Sequence, residues 1–185
     1  MTRLSELSFS DLSREQQEIL GALPSGGRAT LSGPLSVLIR LPEVCASIRD
    51  LSIRLRNESR IDDRLFEIMV LTVARSWRAQ YEWVAHEPGA RKAGLSENVI
   101  EAIRAGGAPP TFEHEDEGTV FALVDELQRT TRISEATYAR ATRLLGAESV
   151  IELVAAIGFY NLIAVVLNAF EVPLPGDQRA PFLEP

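Results

Sequence analysis

A carboxylate, a phenol and an imidazole lie close together in the stretch from Arg64 to His86, RLFEIMVLTVARSWRAQYEWVAH. Glu67 stands alone in an apolar run, FEIMVL. Tyr81, Glu82 and Trp83 form a polar-aromatic cluster, and His86 follows Glu82 by four residues. Such groups brought together can pass protons to and from a reacting molecule. Glu67, Tyr81, Glu82 and His86 are therefore the candidate catalytic residues. The spacing of Glu82 and His86 puts both on one helix face, where they could equally form an exposed ion pair. Glu67 lies nineteen residues before His86, about 28 Å away on one straight helix. The two can meet only if the chain bends, and Ser76-Trp77-Arg78 is the expected place. A Glu buried in FEIMVL needs a partner, and Arg64 and Arg75 are the nearby cations.

The surrounding chain must supply helices to hold this stretch. Ser13-Arg14-Glu15-Gln16 reads as a capping box, opening a short helix to about Leu23. Pro24-Ser25-Gly26-Gly27 ends it, and a loop continues to Gly33. Pro34 suits the first turn of another helix, and Pro42 restarts one with Val44, Ile48, Leu51 and Leu55 at helical spacing. Arg56-Asn57-Glu58-Ser59 reads as a turn, after which Ser59 or Asp62 caps the central helix. Gly94-Leu95-Ser96 is a stop followed by a new cap, and Gly106 to Pro110 is a loop. A helix over 118–130, one capped by Ser134 and stopped by Gly146, and an apolar helix over 150–170 complete the series. No useful alternation of strand period is present, so the class is all-α and the chain a single domain.

Composition narrows the partners. The 185-residue chain has a net charge of −7 and no basic run, which disfavours nucleic acid and anionic membrane. Residues 150–170, VIELVAAIGFYNLIAVVLNAF, are apolar nearly all round but interrupted by Asn161. A core or interface helix is expected there, not a membrane span. One cysteine, Cys45, allows no internal disulfide, and with no leader-like apolar segment at the start a cytoplasmic location is expected. Glu67, Glu82 and His86 offer less nitrogen and sulfur than zinc prefers, so no metal site is expected.

The sequence RLFEIMVLTVARSWRAQYEWVAHEPGARKAGLSENVIEAI resembles the carboxymuconolactone decarboxylase family, which is similar to alkylhydroperoxidase D. The resemblance starts near GPLSVLIRLPEV, runs into IGFYNLIAVVLNAF, and covers residues 34–174. It implies an alkylhydroperoxidase D-like helical bundle preceded by an N-terminal extension (1–33) and followed by a proline-rich tail (175–185) that leaves the globule. By the same resemblance, the alkylhydroperoxidase D glutamate falls on Glu67 and its histidine on His86, while its two thiols fall on Ala79 and Glu82. Disulfide-based peroxide reduction is thereby excluded. The resemblance then implies lyase or isomerase chemistry on a small carboxylate or lactone, without a cofactor, in a homo-oligomer (dimer, trimer or hexamer). Arg75 is the candidate cation for a substrate carboxylate, and Trp83, Tyr160 and Asn161 are further substrate-binding candidates. The alternative is a thiol-less relative that acts as a ligand-binding or structural oligomer.

Overall fold

The structure is a computed structural model that describes residues 2–21 and 31–182. Nine α-helices and no strand occur among the described residues: α1 (Arg14–Gly21), α2 (Leu35–Leu38), α3 (Pro42–Asn57), α4 (Asp63–Trp77), α5 (Gln80–Lys92), α6 (Glu97–Ala105), α7 (Glu115–Thr130), α8 (Glu135–Leu145) and α9 (Ala147–Ala169). The capping box at α1 forms, with Ser13 and Gln16 each accepting from the other's backbone N–H. The turn expected at Pro24 to Gly27 lies outside the described residues.

Helix α4 is the axis of the fold. The Asp62 side chain caps it by accepting from the Arg64 N–H at 2.9 Å, and every residue from Leu65 to Ala74 is buried. Helices α5, α6, α7 and α9 all pack on it. It ends at Trp77 because Arg78 turns left-handed, with φ of 51°. Ala79 N–H then donates back to the Ala74 carbonyl at 2.8 Å. The chain reverses into α5, so the bend required near Trp77 is present.

Helix α9 runs beside α4 and α8. It is long and apolar enough to cross a membrane, but half of its most apolar stretch is buried inside the fold. Leu153, Ala156, Ile157, Tyr160, Ala164 and Leu167 face inward, while Ile151, Val154, Leu162 and Val165 are exposed. The tail does not leave the globule as expected. Phe182 is buried edge-on against Trp83, and its backbone exchanges hydrogen bonds with the Gln80 amide.

Three helices have boundaries that move from the sequence expectation, α9 among them, which spans Ala147–Ala169 and not 150–170. Helix α7 begins at Glu115, three residues before the expected start, since the Glu117 carboxylate accepts backbone N–H groups at its N-terminus. Helix α3 continues through Asn57, so Arg56 stands in its last turn and not in a loop. A cation there also suits the negative end of the helix dipole.

Arg64 does not reach Glu67. It crosses to α7, where it donates to the buried Glu117 and to Asp116. Removing one partner of such a pair leaves an uncompensated buried charge. Arg64→Met is expected to lower stability by about 3 kcal/mol, and Arg64→Met combined with Glu117→Gln, which removes the unpaired charge and keeps an acceptor for the α7 N-terminus, to recover part of that loss. Denaturant unfolding of the three proteins tests this; a double variant no better than the single would refute it.

Candidate functional site

Four helices bring their polar groups to one point beside α4. Glu67, only 3 % exposed, projects from the first turns of α4. Its Oε2 is 2.8 Å from His86 Nδ1 on α5. Its Oε1 accepts from Arg56 Nη2 on α3 at 2.7 Å. Arg56 Nη1 also donates to the Tyr160 hydroxyl on α9, at 3.4 Å. The His86 and Tyr160 rings meet edge to face, with centroids 5.2 Å apart. The bend after Trp77 thus brings Glu67 and His86 together across nineteen residues of chain.

Close approach here needs a missing side chain. A Cβ on Gly89 would stand 2.8 Å from Glu67 Oε1. Pro88, inside α5, cannot donate a helical hydrogen bond and loosens the turn at that place. The Pro-Gly pair therefore lets the α5 backbone lie directly against the carboxylate.

The electrostatics divide the two buried acids. Burial pushes Glu67 up, but the hydrogen bonds and charges of His86 and Arg56 outweigh it, and its carboxyl falls below the ordinary range. Glu67 is thus an acceptor, and His86 Nδ1 must be the donor. In neutral imidazole this leaves Nε2 as the basic nitrogen, and Nε2 has no hydrogen-bond partner among the described residues. Glu82, 2 % exposed, has the opposite environment. Neither of its carboxyl oxygens has a partner, and burial holds its pKa well above the ordinary value. Burial thus favours the protonated form of Glu82, which lies near enough for its charge, if formed, to act on the Tyr160 hydroxyl. Burial pushes the Tyr160 phenol up to about 12 despite Arg56, so it keeps its proton at neutral pH.

Several sequence candidates lie elsewhere. Tyr81 points away from the pair: its ring packs against Gly33, whose positive φ and absent Cβ make room for it. It lines a hollow of about 230 Å³ between the N-terminal segment and the tail, which none of Arg56, Glu67, Glu82, His86 or Tyr160 lines. Arg75 donates to the Ala105 carbonyl at the end of α6 and lies over the Phe182 ring. Trp83 is fully buried, bonded to Glu87 at 2.9 Å and covered by Arg104 and Phe182. It has no surface for a ligand. Asn161 accepts from Trp77 Nε1 at 2.7 Å and from Gln128 at 2.8 Å. Tyr160 alone of the four substrate-binding candidates touches the cluster. Arg56, which does belong to it, is missed because its segment reads as a turn. The α3 pattern continued one step past Leu55 would have placed it on a helix.

No group of three or more His, Cys, Asp or Glu among the described residues is arranged to hold a metal. Cys45 is buried, and burial pushes its thiol up against the charge of Arg49. Ala79 is the residue before α5 and Glu82 lies in its first turn, with no cysteine at either position.

Glu82 gives a pH signature. Its folded pKa is raised, so the folded state holds a proton that the unfolded chain gives up in the ordinary carboxylate range. The resulting contribution to stability is present in full below that range and declines as pH rises toward the folded value. Glu82→Gln removes the decline. The melting temperature of Glu82→Gln relative to the unaltered protein should therefore be higher at pH 8 than at pH 5, by about 2–4 °C for each kcal/mol regained. An offset that does not change with pH would show that Glu82 is not held neutral.

Residues 42–125 match the family model described as the carboxymuconolactone decarboxylase family. The matched span holds Arg56, Glu67, Glu82 and His86, and leaves Tyr160 outside. No curated protein and no solved structure matches the chain.

Proposed function

From the match of residues 42–125 to the carboxymuconolactone decarboxylase family model, we propose that this chain is a cofactor-independent lyase or isomerase acting on a small carboxylate or lactone. One observation supports the reading above the others. His86 is clamped at Nδ1 by a buried, ionised Glu67, with Nε2 left open for a substrate proton. Arg56 holds the other Glu67 oxygen, which fixes the carboxylate and hence the imidazole plane.

The chemistry follows from these groups. Loss of carbon dioxide breaks the bond to the substrate carboxylate and leaves its electron pair in an extended enolate. Protonated His86 returns one proton from Nε2 to carbon, and solvent reloads the imidazole. Tyr160 and the neutral Glu82 are the available O–H donors for the enolate oxygen. An isomerase would use the same groups with His86 first taking the proton and then returning it. Arg56, and not Arg75, is the cation beside this site.

A turnover screen against unsaturated lactone acids tests the proposal. For any substrate found, Glu67→Gln and His86→Gln should each lower kcat by roughly 10²-fold or more. Near-normal turnover in both folded variants would end the relay. The second reading, a thiol-less ligand-binding oligomer, draws on the unpartnered Glu82 at a thiol position. It is favoured if ligands bind and none is converted.

We also propose that the protein is a cytoplasmic homo-oligomer. Ile151, Val154, Leu162 and Val165 form an exposed apolar stripe on α9 of the kind that closed symmetric interfaces cover. Light scattering at micromolar concentration should give a multiple of the chain mass, and Val154→Glu should reduce it. A monomeric mass in the unaltered protein would refute the assembly.

A further inference from the structure

An apolar cleft opens beside the cluster, between α2, α3 and α9. Leu35, Leu38, Ile48, Ile53, Phe159 and Ile163 form its walls, and it encloses about 310 Å³. That lies in the range of small-molecule pockets, about 300–1,000 Å³. The cleft and the cluster share a residue: Arg56 lines the first and holds Glu67 and Tyr160 in the second. Phe159, on the cleft wall, packs edge-on against the Tyr160 ring.

The charge of the lining is selective. The chain carries 26 acidic residues against 19 basic ones, yet the cleft is lined by two arginines, Arg49 and Arg56, and by no acid. Arg49 is the more committed, with three N–H groups given to Asp50 and the Ile19 carbonyl. Arg56 is less so. Two N–H groups go to Glu67 and Tyr160, while a guanidinium has five, and 43 % of the side chain is exposed. Ser52 and Asn57, also in the lining, have no hydrogen-bond partner among the described residues. One incompletely used cation with two free polar groups, above an apolar wall, is a complementary surface for an anionic head on an apolar body.

We propose that this cleft binds the apolar body of an aliphatic monocarboxylate, with the carboxylate on Arg56 at the edge of the Glu67–His86 cluster. The inference rests on the cluster being the reaction site, because Arg56 is what joins the two. It narrows the substrate class from any small carboxylate to acids that carry a hydrocarbon chain beside the carbonyl or unsaturated group that receives the electron pair, and it sets a hydrophobic contribution beside one charge-assisted contact.

Octanoate is the probe, with octanol and acetate as controls, in isothermal titration of the full chain. Octanoate should bind saturably, octanol more weakly and acetate not measurably. Arg56→Gln should weaken octanoate about tenfold or more and leave octanol unchanged. Ile53→Trp, or Leu35→Trp if the first does not fold, should fill the cleft and abolish both. His86→Gln, which removes the proposed proton transfer, should still bind octanoate. That keeps the two readings apart: binding without turnover of any acid would retire the lyase and leave the cleft. Turnover of an unsaturated acid that survived Ile53→Trp would do the reverse. Octanoate binding no tighter than octanol, or unaffected by either tryptophan, overturns the proposal. So does an absence of binding together with a change of oligomeric mass in Ile53→Trp, since a second copy of the chain would then occupy the cleft.

Discussion

A single buried carboxylate constrains most of this fold. Ten consecutive residues of α4 are buried, and Glu67 is among them. An ionised carboxylate in such a place is costly unless charge and hydrogen bonds come to it. Three helices supply them or make way for them. Helix α3 extends far enough to bring Arg56, α5 turns back to bring His86, and α5 also thins its own backbone at Gly89 to let the carboxylate approach. Helix α9 completes the shell with Tyr160, which leans on both His86 and Phe66. The route of the chain after Trp77 is thus tied to an electrostatic requirement on the helix before it.

The two buried acids of the region show how environment assigns different tasks to one side-chain type. Glu67 and Glu82 differ little in exposure. Glu67 has a cation and an imidazole within hydrogen-bonding distance and is ionised. Glu82 has none, and burial favours its protonated form. Pairs whose environments drive their pKa values apart are the usual arrangement for acid and base work in one site. A purely structural core would have little reason to retain Glu82, since an apolar residue of similar volume would cost less there.

Much of the architecture was legible because helical periodicity and caps are local signals. Asp62, Ser96 and Ser134 all cap the helices they precede, and the absence of strand alternation gave the class. The meeting of Glu67 with His86 was legible for a different reason: a buried acid and a weak point in the helix leave few other solutions. The partners were harder to read. Arg64 and Arg75 are near Glu67 in sequence, but both leave its face of α4, one for Glu117 and the other for the Ala105 carbonyl. Arg56 comes from another helix, which runs two residues past its expected end at Leu55. Tyr81 and Glu82 are adjacent and so cannot face the same way on a helix. Glu82 shares the His86 face, and the phenol at the site comes instead from Tyr160, far along the chain. Trp83 shows the limit of residue type as a guide, because an indole N–H satisfied by Glu87 inside the core looks the same in sequence as one that meets a ligand.

Charge accounting links the cluster to the cleft. Arg56 and Glu67 cancel, and Glu82 contributes no charge while it holds its proton. The net charge of the site then depends on His86 alone: zero with neutral imidazole, positive with imidazolium. On the proposed chemistry, an acid bound at Arg56 brings one negative charge into this partly desolvated space. The complex is closest to electrical balance when His86 carries its proton. Arrival of the substrate would therefore favour the form of the imidazole that delivers a proton to carbon, and departure of neutral carbon dioxide would carry no charge out of the site. The negative charge left on the enolate is then quenched by that same proton, and the imidazole takes its next proton from solvent. A site of this kind can be lined with hydrocarbon on one side and still run ionic chemistry on the other, because between entry of the acid and reloading of the imidazole from solvent charge passes only between neighbouring groups.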